Sequence, residues 1–325
     1  MPISFRMFAP QTSLRPRLAC EVMPEGVVAA QQRSGSGKEG EAVMAFAPLS
    51  AGAVTPGLGV AANVAANQES NFTNQPAVVA ALRQALNDVS AREKQLTLVI
   101  PDAAVRVLLM DFDTLPAKQQ EALPIVRFRL KKLAPFEVDD AAVSYQVMRE
   151  KKEAGQTQLR VLATVMPAAV RAEYEGAVRA AGYEPGVLMP STLASLASLP
   201  ADGAALVINH NGPSLTTAIT QGGELLLHRT LELPTGDELN HDELASAVSV
   251  AVAYFEDTLK QKPRVLNYVG PGGAQEFTRV LGPALLDALT TYGLQIRDLV
   301  SGPPAGALTA MPPGLSAGVM GALAN

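Results

Sequence analysis

Three glycine-bearing turns are the places where the residue types and spacing of this chain could support chemistry. Gly35-Ser36-Gly37-Lys38 has the outline of a phosphate cradle, but that pattern needs glycine at position 32 and a hydroxyl residue after the lysine. Gln32 and Glu39 stand there instead, so 33–41 reads as a solvated hairpin tip. Asn209-His210-Asn211-Gly212-Pro213-Ser214-Leu215-Thr216-Thr217 joins one strand to the next. Amides around such a glycine turn, with hydroxyls beyond it, can cradle phosphate oxygens; the same residues are also ordinary hairpin chemistry. Gly270-Pro271-Gly272-Gly273 follows an apolar strand and opens a helix, where free amides and the positive dipole end receive an anion. A sharp reversal of the chain would by itself account for those glycines.

The remaining titratable residues do not assemble into a catalytic set. Asp111 with Asp113, and Asp139 with Asp140, are carboxylate pairs without a nearby histidine or cysteine, and read as solvated. His210, His228 and His241 lie too far apart for a helical metal pair. The single cysteine, Cys20, excludes a disulfide framework and a multi-thiolate zinc site. The basic run Arg127, Arg129, Lys131 and Lys132 closes a helix, where cations suit the dipole. Alternating with Phe128, Leu130 and Leu133, it equally reads as a docking face for an acidic or apolar partner.

Composition narrows the class. The chain has 325 residues, 48% hydrophobic and 18% charged, with 26 Lys+Arg against 31 Asp+Glu. That is enough for roughly two domains or one elaborated α/β unit with a packed core, and the net charge of −5 argues against a nucleic-acid surface. Prolines at 2, 10 and 16 interrupt the N-terminus, which carries no signal-like apolar core. Residues 300–325 are uncharged beyond Val300, but prolines 303, 304, 312 and 313 break them. The expectation is a cytoplasmic chain with no membrane span.

The elements that must position the turns follow from periodicity. Strands are expected over 18–31 and 42–48, a loop over 50–75, and a helix from Pro76 with Val78, Val79, Leu82 and Leu86 on one face. Leu96–Ile100 is a continuous apolar run, as in a buried central strand. Strand 105–112, helix 117–133, and strands 142–149 and 158–166 then make a small α+β module. Helix 168–181 ends at Gly182, followed by strand 188–190 and helix 191–199. A meander over 204–208, 215–220 and 224–232 precedes a long helix over 237–260, strand 264–269, helix 275–289 and strand 294–298. A terminal helix over 313–323 packs closely through Gly318 and Gly321. The boundaries are 1–102 and 167–203 for a first lobe, 103–166 for the inserted module, and 204–325 for a second lobe.

The order of these pieces resembles the type IV pilus assembly proteins of the PilM family, actin-like relatives of the cell-division protein FtsA. The resemblance runs through Val99-Ile100-Pro101-Asp102, Leu115-Pro116, Ala134-Pro135-Phe136, Asp139-Asp140-Ala141, Tyr145-Gln146-Val147, Val161-Leu162-Ala163 and Ala180-Ala181-Gly182-Tyr183-Glu184-Pro185. The closing run Gly314 to Leu323 is similar too. It implies an α/β, actin-like, two-lobed fold with an inserted strand–helix–strand–strand subdomain. It also implies a nucleotide site for ATP or ADP with magnesium at Glu21, Gly26, Gly212, Thr216, Thr217, Gly270, Gly272 and Gly273. The first phosphate loop departs from the family: Glu21 replaces Asp, Met23 replaces Gly and Val28 replaces Lys, while His210 replaces the Asp of the second loop. The resemblance therefore implies a scaffold with a decayed nucleotide site rather than an enzyme. Such a scaffold sits peripherally at the inner face of the cytoplasmic membrane and receives the N-terminal peptide of a PilN-like membrane protein beside the module. Phe128 and Phe136 are the residues proposed for that groove. A motor ATPase and a second copy of the chain are its further expected partners. A type II secretion platform component and a working actin-like ATPase are the alternatives.

Overall fold

The glycine–proline punctuation divides the chain into short elements that build three sheets. A computed structural model describes residues 16–33, 42–59, 70–90, 92–153, 156–200, 202–233, 241–301 and 306–324. The hairpin tip expected over 33–41, with its Gly35–Lys38 motif, lies outside the described residues from 34 onward.

The stretch read as one strand over 18–31 is two: β1 (Leu18–Met23) and β2 (Gly26–Gln32) pair antiparallel about the turn Pro24-Glu25. Proline lacks the N–H that a continuing ladder needs, so the chain reverses there. β2 then pairs with β3 (Ala42–Pro48). A Cβ on Gly26 would meet the Phe46 ring at 2.6 Å, so this crossing needs a glycine. Helix α1 (Gln75–Val89) starts at Asn74, whose side chain accepts from the amide of Ala77 at 3.2 Å, and buries Val78, Leu82 and Leu86. β4 (Gln95–Ile100) runs parallel to β1 and is buried after its first residue.

A 3-10 turn over Asp102–Ala104 leads into the module: β5 (Arg106–Phe112), helix α2 (Gln119–Leu130), β6 (Ala142–Glu153) and β7 (Gln156–Met166). The module's sheet order is β5-β7-β6. α2 passes through Pro124 without restarting and seats Ala122, Val126 and Leu130 on one face of that sheet with Met110, Ala163 and Val165. The chain returns through α3 (Ala168–Ala180), β8 (Glu184–Pro190) and α4 (Ser191–Leu196). The first sheet is completed as β3-β2-β1-β4-β8.

The second lobe repeats that order. β9 (Ala204–Asn211), β10 (Ser214–Gln221) and β11 (Glu224–Glu232) form the meander. Helix α5 (His241–Leu259) and β12 (Val265–Val269) follow. The helix expected over 275–289 is two, α6 (Gly273–Leu281) and α7 (Pro283–Tyr292), broken at Gly282 where φ is +77°. β13 (Gln295–Asp298) ends the sheet, whose order is β11-β10-β9-β12-β13. In both lobes a three-strand antiparallel meander is therefore extended by two parallel strands on its first member. Helix α8 (Ala317–Leu323) then crosses back to the first lobe. A Cβ on Gly321 would collide with the Ala194 carbonyl, so α8 and α4 touch backbone to backbone. α4 and α8 bury Leu193, Leu196, Val319 and Ala322 between the two sheets. Among the described residues no helix is long and apolar enough to cross a membrane.

Candidate functional site

The inner ends of β1 and β9 carry the polar residues that meet between the lobes. Glu21 on β1 is 2% exposed and accepts a hydrogen bond from Ser191 Oγ at 2.5 Å. Asn209 on β9 donates from Nδ2 to Ser191 Oγ and to Thr192 Oγ1, each at 3.1 Å. Thr192 in turn donates to Asp102, from its amide at 3.2 Å and from its hydroxyl. One amide nitrogen of the second lobe thus serves two hydroxyls of the first, and each hydroxyl serves a buried carboxyl group. The Asn209 Oδ1 atom is buried without a partner among the described residues, so the bridge ties the lobes through the nitrogen of that amide and leaves its oxygen unmet.

The electrostatics follow from burial. The Glu21 carboxyl is pushed up to about 8, first by loss of water and then by the charges of Asp102 and Glu25, against the opposing hydrogen bond from Ser191. Glu21 therefore carries a proton at neutral pH. His210 is lowered by burial, with its bond to the Gly212 backbone opposing. Its Nδ1 lies 3.4 Å from the Tyr268 hydroxyl. A neutral imidazole and a protonated carboxyl are poor company for magnesium, which prefers charged oxygen ligands and ordered water. Among the described residues no cluster of His, Cys, Asp and Glu could hold a metal.

The space between the lobes is nearly filled. A cavity of about 10 Å³ remains among Glu21, Met23, Ser191, Asn209, His210 and Gly270, room for about one water, where small-molecule sites run to several hundred Å³. Three contacts close it. Pro24 and Pro56 abut Gly212, the segment at Gly314 lies on Gly270 with the Gly270 amide bonded to the Gly314 carbonyl at 3.2 Å, and Gly318 of α8 rests on the Glu21 carboxyl. The anion expected at the start of α6 is supplied by the chain itself: Asp298 accepts from the Ala274 amide at 2.6 Å. A Cβ on Gly273 would stand 2.8 Å from that carboxylate.

Of the eight residues expected to hold a nucleotide, Glu21 and Gly270 line the cavity, while Gly212 sits at its closed mouth. Gly26 packs on Phe46, and Gly272 and Gly273 begin α6. Thr216 and Thr217 do not reach the cleft. Thr216 Oγ1 meets Thr230 Oγ1 at 3.1 Å on β11, and Thr217 faces α5. The present residues do not fit a nucleoside triphosphate in this arrangement. Ser191 and Thr192 were missed from sequence because each is unremarkable locally and acquires its role only where α4 meets β9; Asn209 stood in the second candidate turn, but its side chain bonds these two hydroxyls.

A larger concavity, about 610 Å³, lies between the first lobe and the module. Ile100, Leu188 and Ala172 line one wall, and Val143, Ala142 and Arg127 the other. β8 and β6 are edge strands of their sheets, and each contributes residues to this lining. Arg127 is a brace rather than a free cation: its Nη1 donates to the carbonyls of Val138, Asp139 and Ala141. On α3, Glu175 is clamped by Arg171 at 2.7 Å and Arg179 at 2.9 Å. Phe128 and Phe136 are not among the lining residues. Phe128 is 64% exposed on α2, and Phe136 packs on the module's core.

The arrangement of these parts has a solved counterpart in the PilM-PilN type IV pilus biogenesis complex, which matches 87% of this chain and 89% of that one with a TM-score of 0.66. The chain has the fold of PilM. The identity is 18%, so the likeness is one of architecture: two actin-like lobes with the module inserted in the first. A looser match is the cytoplasmic domain of EpsL, an inner membrane component of the type II secretion system of Vibrio cholerae, at 12% identity, 94% and 92% coverage and a TM-score of 0.46. No protein-family model and no curated protein matches the chain by sequence.

Proposed function

We propose that this chain is a scaffold of a type IV pilus inner-membrane assembly platform, acting at the cytoplasmic face of the membrane. Its groove between the module and the first lobe receives the extended N-terminal peptide of a PilN-like membrane protein. The observation that carries this reading is that groove, lined in part by apolar side chains and by residues of two edge strands, in a chain with the PilM fold. An extended peptide gains main-chain hydrogen bonds at a strand edge and specificity from alternate side chains set into pockets. The scaffold works without nucleotide turnover, because the cleft that would take ATP is held shut by the contacts at Gly212, Gly270 and Glu21 and lacks the charged oxygen ligands for magnesium.

The test is a titration of the protein with the cytoplasmic N-terminal peptide of the PilN-like protein from the same organism, with and without Mg-ATP. Saturable binding that is indifferent to nucleotide is the expected outcome. Binding only with Mg-ATP would overturn the closed-cleft reading, and no binding in either condition would overturn the partner.

A further inference from the structure

A helix on a protein surface ordinarily turns apolar residues inward and polar ones to water. α2 is apolar on both sides. Its inner side seats Ala122, Val126 and Leu130 on the module's sheet, while Ile125 and Phe128 stand on the outer side and Leu133 continues them past the helix end. Phe128 is the most exposed of the large apolar side chains among the described residues. The three form a ridge, and neither of the cavities described above includes them. Positive charge gathers on the same helix. Residues 118–133 hold five cations, Lys118, Arg127, Arg129, Lys131 and Lys132, and one acid, Glu121, in a chain of net charge −5. Glu121 is held by Lys118 at 3.3 Å, Lys131 is paired with Asp139, and Arg127 is spent on backbone carbonyls. Arg129 and Lys132 have no carboxylate partner among the described residues. They lie against rings instead, Lys132 5.5 Å from Phe128 and Arg129 6.0 Å from Phe112.

We infer that the outer side of α2 lies flat on an anionic lipid surface. Phe128, Ile125 and Leu133 enter the boundary between headgroups and acyl chains, and Arg129 and Lys132 meet the phosphates. The choice of lipid over an acidic protein rests on the chain's proposed place at the inner face of the membrane, and on size. A specific protein interface takes about 800 Å² from each partner, whereas this ridge offers three apolar side chains and two unpaired cations. A bilayer needs no complementary pocket. It closes around apolar side chains that sink roughly 5–10 Å, while the long stems of Arg129 and Lys132 keep their charges among the headgroups. Each cation at such a surface raises partition about fivefold, an effect that fades with salt. So small a contact is reversible by itself, and it serves to orient a chain that a membrane protein also holds. Arg127 of the same helix lines the module groove, which places that groove about a helix diameter, roughly 10–12 Å, from the lipid. A peptide leaving the bilayer would meet it there.

The chain has no tryptophan, so Phe128→Trp puts a sole fluorescent reporter on the ridge. Its emission is read on the full chain with vesicles of phosphatidylcholine alone, and with vesicles containing about one-third phosphatidylglycerol. A blue shift on the anionic vesicles, quenching by brominated acyl chains and reversal with added salt are expected, with little change on the neutral ones. In vesicle flotation, Phe128→Ser is expected to bind more weakly than the wild type by about tenfold or more. The pair Arg129→Gln, Lys132→Gln is expected to lose roughly twenty-fivefold. All three positions are exposed, so unchanged circular dichroism is expected from each variant. Emission that anionic vesicles leave unchanged, binding that survives both sets of substitutions, or equal binding to neutral vesicles would each overturn the inference. A chain that ignores vesicles yet binds the PilN-like peptide would keep the groove reading and give the ridge to an acidic protein. Vesicle binding without peptide binding would sink the groove reading alone.

Discussion

Pro24 Cγ stands 2.9 Å from the point where a Cβ on Gly212 would be, so the two turns that face each other across the lobes are in direct contact. Gly212 also has φ of +58°, a conformation that costs an L side chain about 1–2 kcal/mol. Gly212→Ala is expected to lower stability by that backbone cost plus a steric share against Pro24. The double variant Pro24→Gly, Gly212→Ala separates the two, because it restores the space and leaves the backbone penalty. Denaturant melts of the wild type, both single variants and the double measure the coupling. Additive losses would show that the turns do not press on each other.

The seat of α8 gives a second cycle. Gly318 faces the Glu21 carboxyl so closely that a Cβ would fall inside the envelope of Oε2. Gly318→Ala is expected to cost about 1–3 kcal/mol as an overpacked site, and Glu21→Ser is expected to recover most of it by withdrawing the carboxyl. Equal losses from Gly318→Ala in both backgrounds, read by chemical denaturation, would remove this contact from the account of why α8 crosses the lobes.

Glu21 also sets a pH dependence with a definite sign. Its folded-state value is raised from 4.5 to about 8, so between those limits the native state holds a proton that the unfolded state has released. Stability must then fall as pH rises through that window, by up to about 1.4 kcal/mol per pH unit, and level off above it. The histidines act in the opposite direction: burial lowers His210 and His228, which favours the native state as pH rises toward their ordinary value. Comparing Glu21→Gln with the wild type cancels them. The variant is expected to lose the decline between pH 5 and 8 and to be the more stable protein at the upper end. Parallel stability–pH curves for the two proteins would show that Glu21 ionises freely.

Much of this was legible in the chain because the strongest signals are local. The apolar run Leu96–Ile100 became β4, and the module's strand, helix, strand, strand order followed from periodicity. The errors have local causes as well. Pro24 within 18–31 and Gly282-Pro283 within 275–289 are breaker residues outweighed by the apolar pattern around them, and each ends an element in the structure. The strands expected over 142–149 and 158–166 are longer, β6 continuing to Glu153 and β7 beginning at Gln156; a two-strand ribbon can carry charges because backbone pairing holds its ladder together. The start of the long helix at 237 lies outside the described residues, and α5 is seen from His241. The cleft was only half legible. Met23 and His210 announced a departure from a phosphate site, but the bridge from Glu21 through Ser191 and Asn209 to Thr192 and Asp102 joins residues up to 188 positions apart (Glu21 to Asn209). No window of sequence contains it.

The module groove offers the clearest separation of surfaces. Ala172 is exposed on α3 and lines the groove, so Ala172→Trp fills the concavity without disturbing a core. It is expected to reduce affinity for the PilN-like peptide by tenfold or more, since each lost 1.4 kcal/mol of contact is about a factor of ten, while the melting temperature stays close to that of the wild type. Phe128→Ser is expected to leave peptide affinity unchanged, because Phe128 points outward from α2 and away from the lining residues. Isothermal titration of both variants with the same peptide decides between the two faces of the module. Loss of affinity in Phe128→Ser with none in Ala172→Trp would move the peptide from the groove to the outer side of α2.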